Sequence, residues 1–309
     1  MSDNELNIDF EELEEQWADE LTSVKSRSAQ WDRIKTVVRR LRRHKPAVFG
    51  AFVIALIFAT ALFAPVVAPY EPSAQDLGNT LSGPSSDHLL GTDAFGRDIL
   101  SRIIHGSQVS LQIAITAVGV ALGIGVALGA LAGYYGGWID TVIQTAVDIT
   151  WSFPAILVGL ALAAMLEPSL TNIMVAVGLV FWGQYARLVR GEILSLREQD
   201  FIKAAHAIGA SDARIIIRHL LPNAVMPAFV VATLMMGNAI AVEAALSFLG
   251  LGAQPPTPSW GVMLAAGRDY MRTAWWISTF PGIAIVVFIF GFNLLGEGLR
   301  DALDPKLNR

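Results

Sequence analysis

Six stretches of this chain are apolar over a length that can cross a lipid bilayer, near residues 46 to 68, 107 to 134, 139 to 165, 170 to 188, 224 to 250 and 276 to 297. A crossing needs ~20 apolar residues to traverse a hydrocarbon core of ~30 Å. No water reaches the backbone there, so every N–H and C=O must be satisfied within the segment, and each crossing must be helical. The expected fold is an all-α polytopic membrane protein with six transmembrane helices. Composition agrees, with 53% hydrophobic residues, 16% charged residues and a mean hydropathy of +0.50. The first apolar run opens only at Pro46 and is too long for a signal-peptide core, so the first span is expected to serve as its own targeting signal.

Basic residues are retained on the cytoplasmic side of a membrane. Nine Lys/Arg precede the first span, six lie between spans four and five, and three follow the sixth, against four on the opposite side. Eighteen against four places both termini in the cytoplasm. The net charge of −5 says little about partners, because the acid is concentrated in the first twenty residues. Residues 1–30 read as an acidic cytoplasmic tail. Residues 31–45 carry an apolar stripe of Trp31, Ile34, Val37, Val38 and Leu41, backed by Arg33, Lys35, Arg39, Arg40, Arg42 and Arg43. That pattern suits a basic amphipathic helix on an anionic lipid surface rather than a nucleic-acid patch.

Catalytic and metal chemistry find little footing. There is no cysteine, which excludes disulfides, thiolate metal sites and thiol nucleophiles. The five histidines are scattered over loops without a His-Glu-x-x-His spacing, and no metal site is expected. Gly123-Ile124-Gly125 lies in an apolar span with no preceding strand, and no Gly-x-x-x-x-Gly-Lys-Ser/Thr loop exists. Any ATP hydrolysis must therefore belong to another polypeptide. Gly119, Gly123, Gly125, Gly129 and Gly133 instead give span two a small-residue face for close packing.

The longest charged island in the apolar region runs from Arg197 to Asn223. Phe201, Ala204, Ala205 and Ile208 recur at i, i+3, i+4 and i+7, one face of a short helix, while Glu198, Gln199, Lys203 and His206 lie off it. Gly209 suits a helix end at positive φ, Ser211 suits the N-cap of a second helix, and Pro222 marks where that helix should stop. Such a helix can plug a groove on another protein or lie on the membrane surface.

On the outer side, residues 69–106 form a loop that tightens into Gly91-Thr92-Asp93-Ala94-Phe95-Gly96-Arg97-Asp98-Ile99-Leu100-Ser101-Arg102. Asp98 and Arg102 stand at i, i+4, a helix-surface pair worth ~0.2 to 0.5 kcal/mol. The loop either staples the outer face shut or contacts a ligand or delivery protein. Within the spans, Asp148 is a carboxylate in an apolar run and hence a candidate for the translocation path, with pairing to Arg187 or Arg190 as the favoured alternative. Pro154 should bend span three. Glu243, in span five, either lines the path or holds the outer loop through Arg268 or Arg272.

Ala204-Ala205, Gly209 and Leu221-Pro222 resemble the cytoplasmic loop motif of ABC-importer permeases, with Lys203 standing where the family has Glu and His219 where it has a branched aliphatic. The Gly209-to-Asp212 and Arg218-to-Asn223 strings resemble the di/oligopeptide and nickel branch. The Gly91-to-Arg102 string, the last outer loop and the C-terminal Asn293-to-Lys306 string resemble its C-type subunit. The resemblance runs from about residue 46 to the end. It implies a type I permease fold with a first transmembrane helix at 46–68, a core domain over 107–300 containing a coupling loop at 190–222, and a cytoplasmic C-terminus at 301–309. It assigns Phe201, Lys203, Ala204, Ala205, Ile208, Gly209, Ser211, Asp212, Leu221 and Pro222 to ATPase coupling. It implies a second homologous permease, two ATPase subunits that carry ATP and Mg²⁺, an extracytoplasmic substrate-binding protein, and no cofactor on this chain. Asp93, Gly96, Arg97, Asp98 and Arg102 are the outer-loop candidates; Asp148, Pro154 and Glu243 are the path candidates. Peptide import is the leading function. Import of nickel or another solute by the same family is the alternative, and ion-coupled secondary transport is a weaker one, since no inverted repeat is visible.

Overall fold

The computed structural model describes residues 37–166, 169–254 and 256–303. The acidic tail at 1–30, the first part of the basic segment at 31–36 and the last residues, 304–309, lie outside the described residues. Among the described residues no strand forms, and the only sheet-like contact is an isolated bridge between Thr92 and Asp98.

Residues 37–43 are helical and lead to His44, whose Nδ1 accepts from the Ala47 N–H and caps α1, Lys45–Leu62. A separate turn, α2, covers Ala64–Val67. The first span, expected over 46–68, is thus broken at Phe63, two residues before Pro65, which has no N–H to continue the ladder and whose ring crowds the carbonyl four residues back. The long helix α3 covers Ile99–Tyr135. It begins eight residues before the expected start at 107, because Asp98 caps it with extended backbone (φ −69°, ψ 122°) and accepts from the Ser101 N–H at 2.7 Å.

Span three is two helices, α4 over Gly137–Trp151 and α5 over Ala155–Met165, bent by 96° at Ser152 to Pro154. The bend expected from Pro154 is a full break. Helix α6 covers Leu170–Arg197, longer than the expected 170 to 188, and α7 covers Asp200–Ala207. From Asp212 to Phe248 the chain is continuously helical: a first turn α8, Asp212–Arg214, a π-helical stretch Ile215–Leu220, and α9, Leu221–Phe248. Pro222 therefore does not end a helix. The wide turn before it sends the Leu221 N–H to the Ile216 carbonyl, five residues back, and Pro222 enters at the head of α9, where its missing N–H leaves no gap. A short α10, Trp260–Ala266, precedes α11, Trp276–Leu303.

Five of these helices are long and apolar enough to cross a membrane, and the bent pair α4–α5 passes the same test jointly. The α3–α6 contact is the backbone of the core. A Cβ on Gly125 or Gly129 would collide with Tyr185 or Ala186, and one on Gly133 would sit 2.8 Å from the Ile193 Cβ. Gly119 and Gly123, expected on the same packing face, meet open space. Helix α1 lies on α11 in the same manner, with Gly50 against Gly291. Beside that contact Arg40 donates to the Ala302 carbonyl, and His44 lies 3.4 Å from Asp301.

Candidate functional site

The segment that contains α7 is anchored from beneath. In α7, Ile202 and Ala205 are buried and join the apolar cluster of Tyr134, Ile193 and Ile215. Phe201 (43% exposed), Ala204 and, just past the helix end, Ile208 (85% exposed) turn outward. The sequence had grouped Ala205 with that outer face. It belongs to the inner one, because Ile202 rather than Phe201 supplies the anchor and Ala205 lies three residues on from it. Lys203 is exposed and sits 3.6 Å from Asp200. Gly209 stands at φ +78°, a backbone that side chains with a Cβ rarely adopt. Ser211 occupies the N-cap of α8 without a capping bond from its hydroxyl. Asp212, in the first turn, accepts instead from the Tyr134 hydroxyl at 2.7 Å.

The outer loop is a buried polar network on the heads of α3 and α11. Asp93 accepts from the Phe95 and Arg97 N–H groups and from Arg97 Nε at 2.6 Å, and its Oδ2 lies 3.8 Å from Arg102. Asp98 does not pair with Arg102 as expected. Capping α3 turns its carboxylate toward Ser101 and His88 (3.0 Å), while Arg102 reaches back to donate to the Pro72 carbonyl. Gly91 and Gly96 stand at φ +81° and +71°. Trp276 donates to the Thr92 carbonyl and ties the loop to α11. Asp93, Asp98 and Arg102 are buried and brace the loop, with Asp98 also lining the neighbouring cleft. The exposed part is a shallow cleft lined by Tyr70, Gln75, Asp76, Asn79 and Asp87, where the Asn79 side-chain amide and the Gly78 N–H hold the Asp76 carboxyl below its usual range.

The three path candidates are not brought together. Asp148 bonds Arg187 at 2.5 Å, and that guanidinium lies 4.2 Å over the Trp151 ring. A second pair, Asp140 to Arg190 at 2.5 and 2.6 Å, joins the same two helices. Pro154 stands at the α4–α5 break. Glu243 is fully buried: its Oε1 accepts from Ser247 at 2.7 Å and from Ser259, the N-cap of α10, at 3.1 Å. It does hold the last outer loop, but through a serine. Arg268 is occupied by Asp269 and by the face of Phe248. Sequence reasoning passed over Tyr134, Asp140, Ser259 and Thr92. Asp140 was visible as an acid one helical turn inside a Gly-Gly turn; Thr92 and Ser259 stood in outer-loop strings already singled out, but nothing marked their bonds, and nothing marked Tyr134.

The arrangement is a short helix, fixed to the core on one face, with an apolar tip turned outward. Residues 125–309 match the model of the binding-protein-dependent transport system inner membrane component family, and residues 33–84 match the N-terminal transmembrane domain of oligopeptide transport permease C. The dipeptide transport system permease protein of Alkalihalophilus pseudofirmus is 46% identical over 269 residues, covering 87% of this chain and 88% of its own. The glutathione transport system permease protein of Shigella flexneri is 46% identical over 270 residues, covering 87% and 89%. A putative peptide transport system permease protein of Brucella abortus is 42% identical, covering 87% and 90%. Among solved structures, an inward-facing MetNI methionine ABC transporter matches with a TM-score of 0.53 at 19% identity, over 67% of this chain and 98% of that one, and so shares the fold. This chain is a multi-pass membrane permease that belongs to the family of inner-membrane components of binding-protein-dependent transport systems.

Proposed function

We propose that this protein is one transmembrane subunit of an ATP-driven importer of di- and oligopeptides. It forms the translocation path with a second homologous permease, and two separate ATPase subunits, which hold ATP and Mg²⁺, drive it from the cytoplasm. The cargo class is supported by relatives named for dipeptide, glutathione and peptide transport at 42% to 46% identity. A binding protein delivers the cargo to the outer face, where the cleft around Asp76 offers an exposed polar surface.

The observation that carries the reading is the tip of α7. Phe201, Ala204 and Ile208 form an apolar face that the described residues leave uncovered, while Ile202 and Ala205 fix the helix to the core. An exposed apolar face held rigidly from behind is built for a partner. Arg187, Arg190, Arg197, Lys203, Arg214 and Arg218 all fall on the connection between spans four and five, so that side is cytoplasmic by the charge rule, as are both termini. ATP-dependent closure of two such docking sites would shift the permease pair between inward and outward openings.

Ala204 is the diagnostic position because it is exposed and its replacement disturbs no core contact. Ala204→Trp should leave the protein folded in the membrane, abolish cargo-stimulated ATP hydrolysis by the assembled transporter and lower uptake on the order of tenfold or more. Uptake at the wild-type rate in proteoliposomes would sink the docking assignment.

A further inference from the structure

The docking segment is joined to α6 and α9 by the chain itself, and to the end of α3 through Tyr134. Tyr134 lies at the end of α3 and is 8% exposed. Its hydroxyl donates to Asp212 at 2.7 Å, holding the first turn of the Asp212–Phe248 helix. Its carbonyl, one of the last on α3 and without an intrahelical partner, accepts from Arg197 Nη1 at the end of α6 at 2.9 Å. Its ring lies nearly parallel to that of His206 on α7, at 6.3 Å and 18°. Hydroxyl, carbonyl and ring thus each hold a different part of the segment.

We infer that Tyr134 is the positioning residue through which displacement of the docking segment reaches α3. The inference rests on the docking reading above. If an ATPase pulls on α7, the covalent connections move α6 and α9; α3 is carried by its packing on α6, and Tyr134 is what also ties its cytoplasmic end to the head of the Asp212–Phe248 helix, so that the two arms move together. The bond to Asp212 is charge-assisted, and a carboxylate in the first turn of a helix is further favoured by the helix dipole. The ring is locked by the cluster of Ile193, Ile202 and Ala205, so the hydroxyl is fixed in space rather than swinging on an exposed side chain. Higher up, the Gly125, Gly129 and Gly133 contacts keep α3 and α6 in register, and a displacement entering at Tyr134 travels along the pair as one body.

The test uses the complete transporter, with its partner permease, ATPases and binding protein, in proteoliposomes. The measured quantity is peptide imported per ATP hydrolysed, for Tyr134→Phe, Asp212→Asn and the double variant. Tyr134→Phe keeps the ring and its packing; assembly and basal hydrolysis should persist while the ratio falls on the order of fivefold. Asp212→Asn keeps an acceptor for the Tyr134 hydroxyl and removes only its charge, so it should lower the ratio less, and the double variant should be no worse than Tyr134→Phe alone, because the hydroxyl is the donor of that one bond. A purely structural role predicts lost accumulation with an unchanged ratio. A wild-type ratio in Tyr134→Phe, or losses that multiply in the double variant, overturns the inference. In the same vesicles, an Ile208→Cys thiol, unique in this cysteine-free chain, is cross-linked to the ATPases. A cross-link with an unchanged ratio sinks the role of Tyr134 alone; no cross-link to any ATPase sinks the docking reading and this inference with it. If Tyr134→Phe fails to accumulate, the Asp212→Asn ratio decides by the same criterion.

Discussion

Asp98 shows how one carboxylate organises the outer face. Its Oδ2 accepts from the backbone N–H and hydroxyl of Ser101, and its Oδ1 meets His88, which in turn leans 5.0 Å from the Tyr70 ring. Removing it uncaps α3 and leaves buried donors without an acceptor. A lost cap costs about 1 kcal/mol and a buried unsatisfied group ~1 to 3 kcal/mol. Asp98→Ala should therefore lower the thermal unfolding temperature in detergent and expose residues 70–98 to protease, with Asp98→Asn milder. Proteolysis at the wild-type rate in the alanine variant would show that the network does not hold the loop. The sequence exposed Asp98 and Arg102 as a pair because spacing along a helix is all that a string of residues displays. It cannot display that a helix start turns one of them inward. The Asp148–Arg187 contact was legible for the opposite reason: a carboxylate in an apolar run needs a cation, and the nearest two stood on the next span. Ser259 was illegible as a partner of Glu243 because a neutral hydroxyl sixteen residues away in an irregular loop carries no signal.

At the scale of the helix, the same glycine row has two behaviours. Every fourth residue of α3 from Gly125 to Gly133 is pressed against α6, where Cβ atoms at Gly125 and Gly129 would strike backbone atoms or side-chain roots. Gly119 and Gly123 have nothing within reach. Gly129→Ala should destabilise the protein by ~1 to 3 kcal/mol through overpacking. Gly123→Ala should be neutral or stabilising by up to ~1 kcal/mol, since a helical glycine is disfavoured relative to alanine by about that much. Melting curves of the two variants in the same detergent check the sign. Equal shifts would mean that the glycines act through backbone freedom and not through the helix contact. The existence of these helices was readable from hydropathy, but their ends were not. Prolines were the main source of error, because proline reports a missing N–H and not how the chain accommodates it: Pro65 and Pro154 break helices, whereas Pro222 follows a π turn and begins one.

For the whole molecule, the sharp bend in span three decides whether the chain crosses the membrane five times or six. Length alone favours five, since α4 and α5 have 15 and 11 residues and neither reaches ~20. Their track along α6 says otherwise. Asp140 meets Arg190, Asp148 meets Arg187, Val147 and Trp151 border Gly183, and Gly159 borders Val180. As the chain advances through the bent pair, its partners recede along α6 in order, which is what an antiparallel crossing produces and a returning loop does not. Arg190 and Leu170 are separated by ~30 Å along the helix at 1.5 Å per residue, so the pair is carried from the basic end of α6 toward the opposite face before Leu170 starts the return. Six crossings among the described residues would put their two ends on one side, the topology proposed from the distribution of basic residues. Because the chain has no native cysteine, single thiols at the exposed positions Trp138 and Met165 read this directly. In intact cells a membrane-impermeant maleimide should label Met165→Cys at once and Trp138→Cys only after permeabilisation. Labelling of both from outside, or of neither, would reduce the count to five and place the two termini on opposite faces.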